Sequence, residues 1–392
     1  MNLSARCKSL IIPGVVAYAL FLDYLLYGVA VPLTPHAPGN IQHEQLGLLY
    51  GAYAVSVLLV TPVFGYFGDR MGARATLSCG VILGGLSSVF FAIGSSFLVL
   101  TIAKLCQGAA SAASWTAGLA LIAEHYAEHR VEMMGHALTG STAGSMLGPL
   151  LGGILHRASG YALPFMWTGA LFVVEAGLLF LLPKEGKGRT EPVRWRALLS
   201  NSSILAQAGF VALAAFAWGI IEPILPYHLE NLGKSAEAVG VLFTFSSIIY
   251  GLSAPWVGWI SERIAIRTVI LLGTLSMAIL LPLLSIPERV FLIGTVLCLV
   301  NVAYALILNP ASGELGNAVD RAGMSCYAAV YALYNISYSI GMIAVTAVAT
   351  ATVAVLSFRG MLLSVSTVLG ICAVAIVSAQ LWNRARVESS VA

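Results

Sequence analysis

The chain has 392 residues, of which 59% are apolar and only 9% charged, and its formal net charge is +3. A soluble domain carries about 25% charged residues, so this composition excludes a protein whose whole surface faces water. Apolar stretches of roughly 20 residues recur along the chain, and each is long enough to cross a bilayer as a helix. The composition therefore indicates a multi-pass membrane protein.

Six apolar spans are predicted in the first half of the chain. The first contains Asp23 and follows Arg6 and Lys8, unlike the short uncharged core of a signal peptide, so we interpret it as a membrane helix. The six predicted spans cover residues 9–32, 46–68, 75–95, 98–122, 135–155 and 162–183.

A polar segment over residues 184–204 follows, and it contains five of the basic residues together with Gly and Pro. We predict that it is a cytoplasmic linker between an N-terminal six-helix half, 1–183, and a C-terminal six-helix half, 205–392. The six spans of the second half are predicted at 205–227, 239–260, 268–287, 290–311, 325–350 and 360–382.

The distribution of Lys and Arg predicts the orientation in the membrane. If the N-terminus is cytoplasmic, the cytoplasmic segments hold fifteen of these residues and the external loops only four. Basic residues are enriched in cytoplasmic loops. We therefore expect both termini in the cytoplasm and the chain in the cell (inner) membrane.

One pattern of proline, glycine, acid and two arginines occurs twice, at an offset of 193 residues, or about half the chain. The first copy consists of Pro62, Gly65, Asp69, Arg70 and Arg74, and the second of Pro255, Gly258, Glu262, Arg263 and Arg267. Two six-helix halves with parallel symmetry are the architecture of one large transporter class. The acid and the basic residues predict a cytoplasmic latch that must break when the halves rock.

Residues 65–74 resemble the signature loop of the major facilitator superfamily, Gly-x-Leu-x-Asp-Arg-x-Gly-Arg-Arg, and differ from it at Phe67 and Ala73. The resemblance implies an all-α membrane fold with twelve transmembrane helices in two pseudo-symmetric halves. It also implies a conformational latch, whose members would be Gly65, Asp69, Arg70, Gly72 and Arg74, with Glu262 and Arg263 in the second copy.

Two further motifs resemble those of the drug/proton antiporter branch of this superfamily. In the fourth span, Leu100, Lys104, Gln107 and Gly108 match its motif, with Lys in place of the usual Arg. The fifth span carries the antiporter motif, represented by Gly140, Gly144, Gly148, Pro149, Gly152 and Gly153. Glycines every four residues predict a smooth helix face that packs closely against a neighbour.

Within that branch, the chain resembles bacterial relatives of vesicular monoamine transporters. The segments Phe21-Leu-Asp23-Tyr and Glu222-Pro-Ile-Leu-Pro226 resemble their first and seventh helices, and Tyr250 matches one of their aromatic residues. Three charged positions of that family differ here: two acidic ones fall near Asn309 and on Asn335, and a basic one falls on Tyr53. The resemblance implies export of amines.

Three carboxylates lie inside predicted spans: Asp23, Glu175 and Glu222. An ionised group at mid-bilayer costs about 2.5–3.5 kcal/mol, so such residues indicate function. We predict that Asp23 binds the substrate and couples protons, with Glu222 and Lys104 as further proton-coupling residues. Asp23 paired with Lys104 for structure is the alternative, and Glu175 is assigned no role.

Aromatic and amide side chains complete the predicted substrate site. A carboxylate beside aromatic faces suits an organic cation, because charge pairing and cation–π attraction add. A single aromatic in a span is also consistent with simple helix packing. The predicted substrate-binding residues are Asp23, Tyr53, Trp115, Trp218, Tyr250, Tyr331 and Asn335.

A membrane enzyme is the alternative from another class. Residues 125–129 have the pattern His-x-x-Glu-His, which occurs in some zinc proteases. We interpret it as the solvated end of the fourth helix and predict no metal. Within transport, the alternative is proton-coupled export of a neutral or anionic drug or metabolite, with Asp23 and Glu222 serving only protons.

These observations lead to one functional prediction. The chain is predicted to be a monomeric, proton-coupled antiporter, not an enzyme, that exports amphipathic organic cations such as monoamine-like compounds or drugs by alternating access. Its expected partners are the small-molecule cation, protons and the lipid bilayer, with no cofactor and no nucleic acid.

Overall fold

A computed structural model describes residues 10–38, 43–183, 195–221, 224–225, 228–229, 232–233, 236–286, 289–352 and 356–391. Within these ranges the chain is helical and contains no strand. The predicted proton-coupling residue Glu222 and most of the basic residues of the predicted linker lie outside the described residues.

Six long helices occupy the first half of the chain. Leucine-, valine- and alanine-rich runs form them, and glycines at positive φ separate some of them: Gly72 (φ 92°) precedes α3 and Gly94 (φ 51°) follows it. The helices are α1 (Ile11–Leu33), α2 (His43–Met71), α3 (Ala73–Ile93), α4 (Phe97–His125), α5 (Arg130–Ser159) and α6 (Ala162–Leu178).

Seven helices have bounds within the described residues of the second half, and the first of them is a short helix near the predicted linker. They are α7 (Trp195–Ser200), α8 (Ser202–Gly219), α9 (Ala236–Ser261), α10 (Ile266–Leu283), α11 (Val290–Arg321), α12 (Tyr327–Thr352) and α13 (Phe358–Val391). The described part of the chain therefore contains twelve long helices besides α7, in the order that the sequence predicts.

Eleven helices of the described residues are long and apolar enough to cross a membrane. The remaining long helix, α5, has 30 residues but is rich in glycine and hydroxyl side chains, so it is less apolar than the others. Its length and its place between two spans agree with the predicted fifth span. The prediction of twelve helices is thus consistent with the described chain, although α5 would not be found from apolarity alone.

Several helices are longer than the spans predicted for them. The span predicted at 290–311 continues to Arg321, because Pro310 stands inside the helix without ending it. The span predicted at 135–155 extends over Arg130–Ser159, and the last one reaches Val391. Polar residues beyond the apolar stretch can continue a helix outside the hydrocarbon, where apolarity gives no signal.

The chain divides into two compact units. Unit 1 comprises Met1–Leu205 and Leu315–Ile336, and unit 2 comprises Ala206–Glu314 and Ser337–Ala392. The end of α11 and the first turns of α12 thus belong to unit 1. In unit 1, α1 packs against α4, α5 and α6, while α3 packs against α4 and α6; in unit 2, α10 packs against α13.

Candidate functional site

Asp23 lies on α1 and is buried inside unit 1, with 7% of its surface exposed. Its Oδ2 atom accepts hydrogen bonds from Ser111 Oγ at 2.8 Å and from Trp115 Nε1 at 3.0 Å. Ser111 and Trp115 are four residues apart on α4 and so share one helix face. The Tyr53 hydroxyl donates to Ser111 Oγ at 3.3 Å, which extends the chain of hydrogen bonds to α2. The carboxylate is therefore held in place by a polar network.

Aromatic rings pack against Trp115 and Tyr53, the two aromatic members of this network. The Trp115 ring lies 6.0 Å from the Tyr24 ring and 6.4 Å from the Tyr334 ring, to which it is nearly parallel at 13°. Tyr27 and Tyr53 are 5.3 Å apart between ring centroids. An acid among π faces attracts an organic cation by both charge and quadrupole. Asp23, Tyr53 and Trp115 are thus brought together in one network, and their binding of a cation stays a prediction.

Lys104 is fully buried on α4. Its Nζ atom donates to Gln107 Oε1 at 3.1 Å and lies 4.9–5.9 Å from four aromatic ring centroids. The rings belong to Tyr27, Tyr50, Tyr53 and Phe91. No ion pair within the described residues involves Lys104. The alternative in which Lys104 pairs directly with Asp23 is therefore wrong for this conformation. Aromatic rings, and not a carboxylate, lie around the Lys104 ammonium group.

The antiporter-motif glycines bring α5 against the backbone of α1. A Cβ atom on Gly144 would lie 2.2 Å from the Phe21 carbonyl oxygen, and one on Gly148 would lie 2.8 Å from the Cα atom of Gly28. A Cβ on Gly28 would in turn meet Pro149 Cδ at 2.8 Å, while Gly152 faces Val29. Since real side chains cannot approach so closely, this contact requires glycine. The contact holds one face of α1 against α5. Asp23 contacts Ser111 and Trp115 of α4 from the same helix.

Asp69, at the end of α2, caps the N-terminus of α12. Its two carboxylate oxygens accept hydrogen bonds from the backbone N–H groups of Ala328 and Ala329, at 2.9 and 3.1 Å. A carboxylate at this place is favourable, because the first N–H groups of a helix have no partner within it. Gly65 allows the approach, since a Cβ there would lie 2.7 Å from Ala332 Cβ. This contact lies within unit 1.

The three arginines of the predicted latch contact aromatic rings or a backbone carbonyl. Arg70 is exposed and lies over the Tyr66 ring, 5.0 Å from its centroid. Arg74 donates to the Leu182 carbonyl at 2.9 Å. In unit 2, Glu262 is exposed and Arg263 lies over the Trp259 ring at 3.6 Å. The latch role of these residues stays a prediction.

A second polar cluster of unit 1 centres on Arg130, at the start of α5, whose side chain is 2% exposed. It forms an ion pair with Asp320 at 2.6 Å and donates to Asn317 Oδ1 at 2.8 Å and to the Ala123 carbonyl at 2.7 Å. The Tyr327 hydroxyl accepts from Arg130 at 3.2 Å and donates to Asp320. The sequence predicts only an orienting role for the cytoplasmic basic residues, so this cluster is not among the predicted sites.

Unit 2 has a polar cluster of neutral side chains. The Tyr250 hydroxyl donates to Asn309 Oδ1 at 3.4 Å, and Asn309 Nδ2 donates to the Ala254 carbonyl at 3.2 Å. The Tyr304 ring stacks on Trp218 at 5.3 Å and lies 5.5 Å from Tyr250. The predicted residues Trp218 and Tyr250 are thus brought together around Tyr304, which the sequence analysis did not select.

Tyr331 and Asn335, on the part of α12 that belongs to unit 1, differ in exposure. Tyr331 is fully buried and its hydroxyl contacts Met134 Sδ at 3.6 Å. Asn335 is partly exposed and donates to Thr116 Oγ1 at 3.1 Å, on the helix that carries Trp115. Asn335 therefore lies near the Asp23 site, whereas Tyr331 packs in the interior. Their predicted contact with substrate stays a prediction.

The sequence model of the Major Facilitator Superfamily matches residues 16–213 and again residues 208–391. The two matches cover nearly the whole chain. The chain belongs to the Major Facilitator Superfamily. The assignment confirms the predicted family and a transporter, not an enzyme. The His-x-x-Glu-His pattern agrees with a helix end, since His125 closes α4 and its ring lies 3.0 Å from the Leu121 carbonyl.

Relatives within the superfamily include vesicular transporters. The synaptic vesicular amine transporter of Mus musculus is 29% identical over 312 residues, which are 76% of this chain and 59% of that protein. The protein named probable vesicular acetylcholine transporter-B of Danio rerio is 29% identical over 354 residues, 83% of this chain and 70% of that protein. The chain thus spans about three fifths of the length of the amine transporters that it matches.

A solved structure confirms the superfamily fold. The crystal structure of the human organic anion transporter MFSD10 (TETRAN) matches with a TM-score of 0.70 and 16% identity, over 93% of this chain and 99% of that one. The all-α fold predicted for this superfamily member is therefore confirmed.

Proposed function

We propose that this superfamily member is a proton-coupled antiporter that exports amphipathic organic cations by alternating access. The observation that carries the proposal is the Asp23 site, a buried carboxylate held by Ser111 and Trp115 among aromatic rings. Buried charges are costly, and they are retained where they bind an ion or a proton. Two relatives are named as transporters of amines and of acetylcholine. Protonated amines and acetylcholine are organic cations.

In the proposed cycle, Asp23 exchanges protons for the cation. A proton from outside neutralises the carboxyl, the protein rocks inward, and the proton leaves to the cytoplasm. The carboxylate then binds the cation and the reverse motion carries it out. Glu222 would carry a further proton and Lys104 would stabilise the empty carboxylate. Exchange of more than one proton for a monovalent cation lets the membrane potential contribute about 2.3 kcal/mol per charge per 100 mV.

The proposal places a monomer in the cell (inner) membrane with both termini cytoplasmic. The signature-loop residues act as the cytoplasmic latch that closes and opens in each cycle. Asp69 supports this role, because it joins α2 to the first turn of α12 through hydrogen bonds that a small displacement would break.

Export of a neutral or anionic drug or metabolite is the second candidate function. Lys104 favours it, because this buried cation has aromatic rings and Gln107 around it and takes part in no described ion pair. In this alternative an anionic group of the substrate would approach Lys104, and the acids would serve only protons.

One experiment separates these functions. The protein is reconstituted into proteoliposomes, a pH gradient is imposed, and uphill transport is measured for phenylethylamine, acetylcholine, a neutral aromatic amide and an aromatic carboxylate. Transport of the two cations alone is the expected result. Transport of the carboxylate without the cations would overturn the cation assignment, and transport that ignores the pH gradient would overturn proton coupling.

A further inference from the structure

Two histidines outside the predicted sites meet where α1 and α5 end. His36 lies three residues after α1, and His156 lies in the last turn of α5. The centroids of their imidazole rings are 6.1 Å apart, and the ring planes are inclined at 51°. Both residues belong to unit 1. Imidazole is the commonest metal ligand among protein side chains, so this pair is a candidate for holding a metal ion.

The glycine face of α5 brings the two histidines together. A Cβ atom on Gly152 would lie 3.3 Å from Val29 Cα, so the backbones of α1 and α5 touch at this level. His156 follows Gly152 by four residues and therefore lies on the same face of α5, one turn further on. On the side of α1, the chain continues into the 3₁₀ turn Thr34–His36, which carries the other ring. Helix packing thus holds both imidazoles at one place.

The hydrogen bond of His36 leaves one of its ring nitrogens available as a ligand. Its Nδ1 atom lies 3.1 Å from the Pro32 carbonyl oxygen. Since a carbonyl oxygen can only accept, Nδ1 carries the hydrogen, and the neutral ring keeps a lone pair at Nε2. Histidines that bind metal ions typically donate their other N–H to a backbone carbonyl in this way. The side chain is exposed, so an ion can reach it from solvent.

His156 has a ring nitrogen whose hydrogen bonding is unsatisfied. The residue is half-buried, and its Nδ1 atom is buried without a hydrogen-bond partner among the described residues. Such atoms are rare in native proteins, and a bound ion or water is one explanation for them. No ion pair in the described ranges of the chain includes His36 or His156. Both rings are therefore available to a ligand.

The separation of the rings fits one ion between them. Zn²⁺ binds an imidazole nitrogen at about 2.0–2.1 Å and prefers tetrahedral geometry, which places the centroids of two histidine ligands roughly 5–6 Å apart. The observed 6.1 Å lies at the upper edge of this range. Neutral imidazoles favour Zn²⁺, Cu²⁺ or Ni²⁺ over Mg²⁺ and Ca²⁺, which prefer oxygen ligands.

We propose that His36 and His156 bind one Zn²⁺ ion, which ties the end of α1 to the end of α5. Water would supply the two remaining ligands of a tetrahedral site, since His36 is exposed. In the predicted orientation this end of the helices faces the outside of the cell. The inference goes beyond the proposed transport function and does not depend on it, because it concerns the binding of a metal whatever the substrate is.

The test is a Zn²⁺ titration by calorimetry of the purified full-length protein, prepared without a histidine tag. We expect the wild type to bind one equivalent of Zn²⁺ more than His36→Gln, in which only an exposed side chain changes, so that folding is preserved. His156→Gln should lose the same equivalent. The double variant should lose no more than either single variant, because both residues would bind one ion. Zn²⁺ should also raise the melting temperature of the wild type more than that of these variants.

His136→Gln is the matched control. This histidine lies on the same helix but in its second turn, with Nε2 4.0 Å from a Glu132 carboxylate oxygen. The substitution should leave the equivalent in place. Loss of the equivalent in His136→Gln but not in His36→Gln would place the metal at the other end of α5 and overturn the inference. Equal Zn²⁺ binding by the wild type and His36→Gln would overturn it too, and this comparison still decides if His156→Gln does not fold.

Discussion

The polar groups inside the two units differ in kind. Unit 1 buries Asp23, Lys104, Glu175 and Arg130, which are groups that carry or can carry charge. The described polar cluster of unit 2 consists of neutral groups, namely Tyr250, Asn309, Tyr304, Tyr338 and Trp218. Charges inside a membrane protein are costly and neutral hydrogen-bonding groups much less so. We therefore expect any ion chemistry in unit 1, whereas the described polar cluster of unit 2 is mostly buried, aromatic and uncharged.

The largest effect is expected for Asp23→Asn, which removes the charge of the cation site. Loss of one partner of a buried charge pair costs about 2–5 kcal/mol, so cation affinity should fall by roughly 30-fold or more. Ser111→Ala removes only one hydrogen bond to the same carboxylate and should weaken the free energy of cation binding by about 1 kcal/mol. Binding of phenyltrimethylammonium to both purified variants measures this, with thermal unfolding as the folding control. Normal affinity in Asp23→Asn would show that the Asp23 carboxylate does not bind the cation.

Glu222→Gln tests whether unit 2 also contributes a charge, at a residue outside the described structure. The amide imitates a permanently protonated acid, so we expect uphill transport driven by a pH gradient to be lost. Exchange of labelled for unlabelled substrate should persist in part, because exchange needs no net proton movement. Uphill transport and exchange are both measured in proteoliposomes. The Asp23→Asn variant, measured in parallel, should lose both activities. Full uphill transport by Glu222→Gln would exclude a role of Glu222 in proton coupling. Complete loss of substrate binding would contradict the proposal that Asp23 binds the cation while Glu222 only carries a proton.

Sequence analysis predicted the fold well because a membrane helix needs a long apolar run, and the sequence displays such runs directly. It also identified Asp23, Lys104 and Glu175, since an acid or base within such a run stands out. The prediction was weaker for α5, because this helix is less apolar than the others. Its glycine pattern, not its hydropathy, marks it as a helix that packs on α1.

Partners of the buried charges that lie on other helices could not be predicted, because they are distant in sequence. Arg130 and Asp320 are 190 residues apart, and nothing local in either segment marks the pair. Ser111 carried a usable signal, since it lies four residues before Trp115 and so on the same face of α4. Gln107, three residues after Lys104, carried the same kind of signal, since residues three apart are neighbours on a helix. Spacing along one helix is readable, whereas contacts between helices are not.

Asp69→Asn compares the two copies of the repeated loop and should have an intermediate effect. The amide lowers the negative charge that faces the first N–H groups of α12, so unfolding stability should fall by about 1 kcal/mol. We also expect a shift toward the outward-open state, measured by spin-label distances across the cytoplasmic mouth. The matched control is Glu262→Gln in unit 2, where the acid is exposed and the expected change is below ~0.5 kcal/mol. Equal effects of both substitutions would contradict a special role for the first copy.

The smallest effect is expected in the neutral cluster of unit 2, at Tyr250→Phe. The Tyr250 hydroxyl donates to Asn309 Oδ1 at 3.4 Å, a long hydrogen bond, and Asn309 keeps its bond to the Ala254 carbonyl without it. The ring, which contacts Tyr304 at 5.5 Å, remains in place. Loss of one neutral hydrogen bond costs about 0.5–1.5 kcal/mol, and the long distance favours the lower end of that range. We therefore expect a small loss of stability in thermal unfolding and a change of at most about twofold in affinity for phenyltrimethylammonium. Asn309→Leu, which removes both hydrogen bonds, should lower stability further and still leave affinity nearly unchanged.

The contradicting outcome would be a Tyr250→Phe variant whose affinity falls as far as that of Asp23→Asn. The binding energy would then not be concentrated in unit 1, and the contrast between the buried charges of unit 1 and the neutral cluster of unit 2 would have no bearing on function.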